Sequence, residues 1–239
     1  MLSIFKKEVA GFLNSLIAYI VIGVFLTSIG LLMWVFPQTN VLDYGYADME
    51  TLFSFGPYVF MFLIPAITMR SFAEEKKSGT IELLLTRPVT DLKIILGKYL
   101  AGFFLVLFAL LPTLVYYYSV YQLGNPIGNL DSAGIAGSYV GLLLLGGVFT
   151  SVGIFASALT ENQIVSFILA VFLCFLLYNG FDSLSGADGW GGWLEKLGIV
   201  YHYNAMGRGL LDSRDILYFL SVIILMISLT KLILSSRKW

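Results

Sequence analysis

Groups that do chemistry are nearly missing from this chain of 239 residues. It has one cysteine, Cys174, and one histidine, His202. A lone thiol set in the apolar run FLCFLL forms no internal disulfide and reads as a packing residue. A lone imidazole among scattered carboxylates makes no metal site, so no metal is expected, and an interfacial hydrogen-bonding role suits His202 better than catalysis. There is no Gly-x-x-x-x-Gly-Lys-Ser/Thr phosphate loop either; the nearest fragment, Gly97 with Lys98, lacks the upstream glycine. The chain therefore reads as no enzyme, with no cofactor bound directly.

Charge is scarce as well. Fourteen Lys and Arg and fifteen Asp and Glu make up 12% of the residues and leave a net charge of −1. That is about half the charged share of a soluble domain. Bases this few and this dispersed cannot track a phosphate backbone, which excludes nucleic acid as a partner. What fills the chain is apolar, 58% hydrophobic and 15% aromatic, the composition of an integral membrane protein.

The uncharged windows locate the spans. A bilayer core takes roughly 20 apolar residues per helix, and unpaired backbone in lipid is prohibitive. An all-α protein with six transmembrane helices follows, placed at 16–36, 52–69, 94–121, 135–158, 163–181 and 216–234 within a single domain, 1–239. The third is longer than lipid requires and holds Pro112, so a tilt or kink is expected. Orientation follows from the bases. With the N-terminus inside, eleven of the fourteen fall on cytoplasmic segments or helix ends: Lys6, Lys7, Arg70, Lys76, Lys77, Arg87, Lys93, Lys98, Lys231, Arg237 and Lys238. Only Lys196, Arg208 and Arg214 lie outside. This positive-inside bias makes both termini cytoplasmic.

Four segments carry more than topology. At the start, Ile4, Phe5, Val9, Phe12, Leu13 and Leu16 recur at helical spacing around Lys6, Lys7 and Glu8, which predicts an interfacial amphipathic helix leading into the first span. In the fourth span, Gly137 with Gly141, Gly147 with Ser151, and Gly153 with Ser157 form small-xxx-small pairs, fit for close packing inside the chain or against a partner subunit. The outer segment 182–215 opens with GADGWGG and holds Trp190, Trp193, Tyr201 and Tyr203, rings suited to the membrane interface. Asp212 or Ser213 is expected to cap the last span.

The fourth segment is Arg70 to Lys98, the coupling loop 70–93 and the first turns after it, with ten of the 29 charged residues. It predicts a short cytoplasmic helix, or two broken at Gly79, ending before Pro88. On a helical projection Ile81, Leu84 and Leu85 share an arc about 100° wide, opposite Gly79, Glu82 and Thr86. One face fits the membrane-proximal helices and the other a soluble partner. Taken alone, the loop reads equally well as a solvated connector that enforces topology.

The run EEKKSGTIELLLTRPVTDLKIILGKYLAG resembles the first cytoplasmic loop of type-2 ABC transporter permeases: an acidic residue, Gly-Thr-Ile/Leu-Glu, a short apolar stretch, a proline, and a base leading into the next span. Glu74 or Glu75, Gly79, Thr80, Glu82, Pro88 and Lys98 occupy those positions. The resemblance implies the type-2 ABC exporter permease fold and a coupling helix that docks on a separate ATP-binding subunit. Docking would use Glu74, Glu75, Lys76, Lys77, Gly79, Thr80, Glu82 and Arg87, with Glu161 in the short turn LTENQ as a second contact or as part of a plain tight turn. ATP and Mg would sit on that partner, and six spans, half of twelve, imply a second permease subunit, a heterodimer being favoured. The ending RGLLDSRDILYFLSVIILMISLT is most similar to gliding-motility-associated permeases. A multi-pass position in the bacterial cytoplasmic membrane goes with it, as do short outer helices that dip back toward the membrane.

Other classes fit less well. A secondary transporter places ionisable groups near the bilayer midplane, and no predicted span has one there. An intramembrane protease needs a Ser/His pair, two buried Asp or HExxH, none of which is present. A membrane anchor that transduces ATPase motion to another complex, with no substrate, is the remaining alternative.

Overall fold

The computed structural model describes residues 1–43, 45–80, 89–185, 195–209 and 212–236. Among them every regular element is a helix: α1 (Leu2–Leu13), α2 (Leu16–Trp34), α3 (Glu50–Thr68), α4 (Arg70–Lys77), α5 (Asp91–Leu110), α6 (Leu114–Leu123), α7 (Ser132–Leu159), α8 (Gln163–Phe175), α9 (Phe181–Ser185), α10 (Ile199–Met206) and α11 (Ser213–Ser236). Six helical segments are long and apolar enough to cross a membrane, at Leu16–Trp34, Glu50–Lys77, Asp91–Leu123, Ser132–Leu159, Gln163–Leu184 and Ser213–Ser236. The fold is the all-helical six-span architecture expected from the sequence.

Three spans are not straight α-helices; the second is interrupted at Met69, between α3 and α4. Between α5 and α6 the chain tightens into a 3₁₀ turn, Leu111–Thr113. Pro112 has no N–H for the α ladder, so the bend falls where the sequence places it. Between α8 and α9 a π-turn, Leu176–Gly180, swings Tyr178 inward. Such insertions re-aim side chains within an otherwise regular helix.

α7 is the axle of the bundle. Of its most apolar window 78% is buried, against 22% for α8 and for α11, and it touches α3, α4, α5, α8, α10 and α11. Its small residues make this possible, because each stands where a neighbour comes too close for a side chain. A methyl group on Gly137 would lie 2.2 Å from the Met206 carbonyl oxygen, and one on Gly153 would lie 1.9 Å from Thr68 Oγ1. A methyl group on Gly141 would meet the Tyr203 ring at 3.3 Å and one on Gly147 would meet Tyr99 Oη at 3.0 Å, while Ser151 bonds back to the Val148 carbonyl of its own helix at 2.7 Å. The close approach that these four glycines permit is taken up by helices of the same chain.

Gly137 gives a direct test, because backbone cannot rotate out of the way. Gly137→Ala is expected to destabilise the protein by about 1–3 kcal/mol through overpacking. Gly23→Ala, at a helical glycine with nothing within 4 Å, should be neutral or stabilising. Thermal unfolding in detergent compares them; equal midpoints would refute the packing account.

Candidate functional site

The charged segment does not start as an isolated loop helix. α4 follows α3 with only Met69 between them, and α7 repairs the break. Ser157 Oγ accepts from the Phe72 and Ala73 amides at 2.8 and 3.0 Å and donates to the Met69 carbonyl at 3.0 Å. One buried hydroxyl thus bridges three backbone groups at the junction of α3 and α4, among them the Phe72 amide in the first turn of α4, where amides lack an intrahelical partner. One turn further, the Lys76 ammonium, also buried, donates to the Ala158 carbonyl. It sits at the C-terminus of α7, where orphan carbonyls and the negative end of the helix dipole favour a cation.

Lys98, two turns into α5, ties in the remaining helices. Its side chain is 2% exposed, and Nζ stands 2.9 Å from Glu8 Oε1 on α1 and 2.9 Å from Glu75 Oε1 on α4. It also lies 5.1 Å over the Phe72 ring. A buried ammonium is tolerated only with such partners. Lys7 reaches Glu75 at 3.7 Å but is largely exposed, so that pair adds little. α1 is therefore docked as well as amphipathic: Ile4 packs on Gly97, where a methyl group would meet Ile4 Cγ2 at 2.9 Å, and Phe5 meets Phe104 edge-on at 6.1 Å.

The predicted docking residues separate by direction. Glu75 and Lys76 turn inward onto Lys98 and α7. Glu74, Lys77, Gly79 and Thr80 are on the surface, and Glu161 is exposed in the turn between α7 and α8 at the same end. Gly79, at φ +70°, stops α4 in the left-handed region that glycine enters at little cost. Glu82 and Arg87 lie outside the described residues, as do Ile81, Leu84, Leu85 and Pro88. Sequence reasoning missed Glu8 and Ser157 as parts of this assembly. Glu8 appeared only as polar punctuation of α1, and Ser157 only as one more small residue of the fourth span.

At the opposite end, α3, α7, the π-turn with α9, and α10 surround a cavity of about 890 Å³. Tyr203 is expected at the membrane interface but is buried here, because Gly141 leaves room for its ring; its hydroxyl donates to the Phe53 carbonyl at 2.8 Å. Burial pushes the Tyr203 phenol well above its ordinary range. Trp190 and Trp193 lie outside the described residues. His202 Nδ1 is 2.7 Å from Asp215 Oδ1 and Nε2 is 2.9 Å from the Lys196 carbonyl, with Tyr218 stacked on the ring at 4.0 Å. The imidazole thus straps the outer segment to the first turn of α11, which Asp212 caps through the Arg214 amide at 2.9 Å. Among the described residues, no three of His, Cys, Asp and Glu gather in a way that would hold a metal ion.

The family model described as ABC-2 family transporter protein matches residues 36–194. No curated protein matches the chain.

Proposed function

The chain belongs to the ABC-2 transporter family as a multi-pass permease subunit, and we propose that it is driven at its charged end by a separate ATP-hydrolysing subunit. One observation carries the reading: α4 leaves the second span as a helix braced against α1, α5 and α7, yet presents Glu74, Lys77, Gly79 and Thr80 outward. A surface that a motor is to push must be both accessible and stiffly joined to the spans. A loose connector would absorb the motion.

In this reading ATP and Mg bind the partner, and Glu161 adds a second, smaller contact. A second permease subunit, different in sequence, completes twelve spans, in the bacterial cytoplasmic membrane. The gliding-motility association belongs to the same proposal and rests on the ending from Arg208 to Thr230. Mild-detergent purification from the native cell, with mass spectrometry of what co-elutes, is expected to return an ATP-binding cassette subunit in stoichiometric amount and a second permease chain. Isolation as a lone chain without ATPase activity would overturn the proposal.

A further inference from the structure

The cavity at the outer end is used by none of this. At about 890 Å³ it is large enough for a small organic molecule. Among the described residues, its lining carries the carboxylates Asp48, Glu50 and Asp131 against one base, Arg208; Asp182 lines it too but has a partner of its own. Asp48 accepts from the Met49 amide at 2.6 Å and Asp131 from the Gly134 amide at 3.0 Å, which fixes both groups without removing their charge. The walls are aromatic. Tyr58 stands edge-on to Tyr178 with ring centres 5.7 Å apart, and Tyr178 to Tyr203 at 6.4 Å.

Two buried hydroxyls point to an occupant. Tyr178 is 5% exposed and Ser138 8% exposed; both line the cavity, and among the described residues neither hydroxyl has a hydrogen-bond partner. Neither oxygen is among the fully buried unpaired ones, so each can bond a polar group bound in the cavity, or a water molecule in its place. The charge decides what the group is. A cleft lined mainly by one sign concentrates the opposite sign and repels its own, which excludes an anion. Aromatic faces attract a cation that has shed its water, and the same rings pack against an apolar body.

We propose that this outer cavity binds a small organic cation, an ammonium group carried on a short apolar body, either a soluble amine or the headgroup of a lipid. The site is independent of the ATPase reading, since equilibrium binding requires no nucleotide and no partner chain.

The test is calorimetric titration of the full chain in phosphatidylglycerol nanodiscs, with empty discs subtracted. The probes are choline and 3,3-dimethyl-1-butanol, which has nearly the same shape and no charge. Choline is expected to bind roughly tenfold more tightly than the alcohol. Glu50→Gln should weaken choline severalfold, and Arg208→Gln should strengthen it, a gain that misfolding cannot imitate. Repeating the titration in phosphatidylcholine discs separates the sources: a fall in apparent affinity assigns the cavity to lipid headgroups, and no change assigns it to soluble amines. Equal binding of choline and the alcohol, or no choline binding at millimolar concentration, would overturn the proposal. So would an affinity that neither substitution moves.

Discussion

Lys98→Met is expected to destabilise the protein by about 3–5 kcal/mol, the usual result of removing one partner from a buried ionic group. Methionine has nearly the length of lysine, so the loss does not come from a cavity. It comes from Glu8 and Glu75, whose oxygens now both stand 2.9 Å from one ammonium. Without it they face each other in a poorly hydrated seam, and Glu75 Oε2 already lacks a hydrogen-bond partner. The triple variant Lys98→Met, Glu8→Gln, Glu75→Gln removes every charge and should recover most of the lost stability. Thermal unfolding in detergent, followed by the fraction that stays monodisperse, measures both. If Lys98→Met unfolds at the wild-type temperature, or the triple variant is no better than the single, the three groups do not form an energetic unit.

Exchanging the exposed charges on α4 is the second large expectation. Glu74→Lys with Lys77→Glu keeps the net charge and the three-residue spacing, and touches nothing buried. The pair should cut stimulated ATPase activity of the purified complex roughly tenfold or more, as reversal of paired interface charges does. Membrane insertion and unfolding temperature should not change. Reversing Glu74 together with Glu75 would be a poorer experiment, because Glu75 belongs to the buried set around Lys98 and its reversal would also unlock α1. Undiminished ATPase stimulation in the Glu74/Lys77 double variant would remove α4 from the docking surface.

These two experiments concern neighbours in the sequence, and that shows where sequence reading reaches its limit. The six spans were legible because charge is expensive in lipid and its absence marks each crossing; the helical segment of the second runs on to Lys77, past its expected end at Met69. The amphipathic start was legible from its period. The opposite fates of Glu74 and Glu75 were not. On a helix they differ by about 100° in direction, and which one faces inward depends on Lys98 and Glu8, remote along the chain. Ser157 was invisible for a related reason. A hydroxyl paired with Gly153 at helical spacing reads as a small packing residue, and only the tertiary structure shows the interruption at Met69 that it bridges. The outer cavity draws its lining from four separate segments, none of which reads as a site by itself. Tyr203 looked like an interfacial aromatic because its ring type permits that position, whereas the room beside Gly141 decided the matter.

α7 has a mechanical implication of its own. Its 28 residues form one uninterrupted α-helix, about 42 Å long at 1.5 Å per residue. Its inner tip is pinned to α4 by Ser157 and the Ala158 carbonyl, and near its outer tip Gly134 and Ser138 line the cavity. Under the proposed drive at α4, the helix would serve as a pushrod, carrying a displacement of its α4 end along its axis toward the residues that line the cavity.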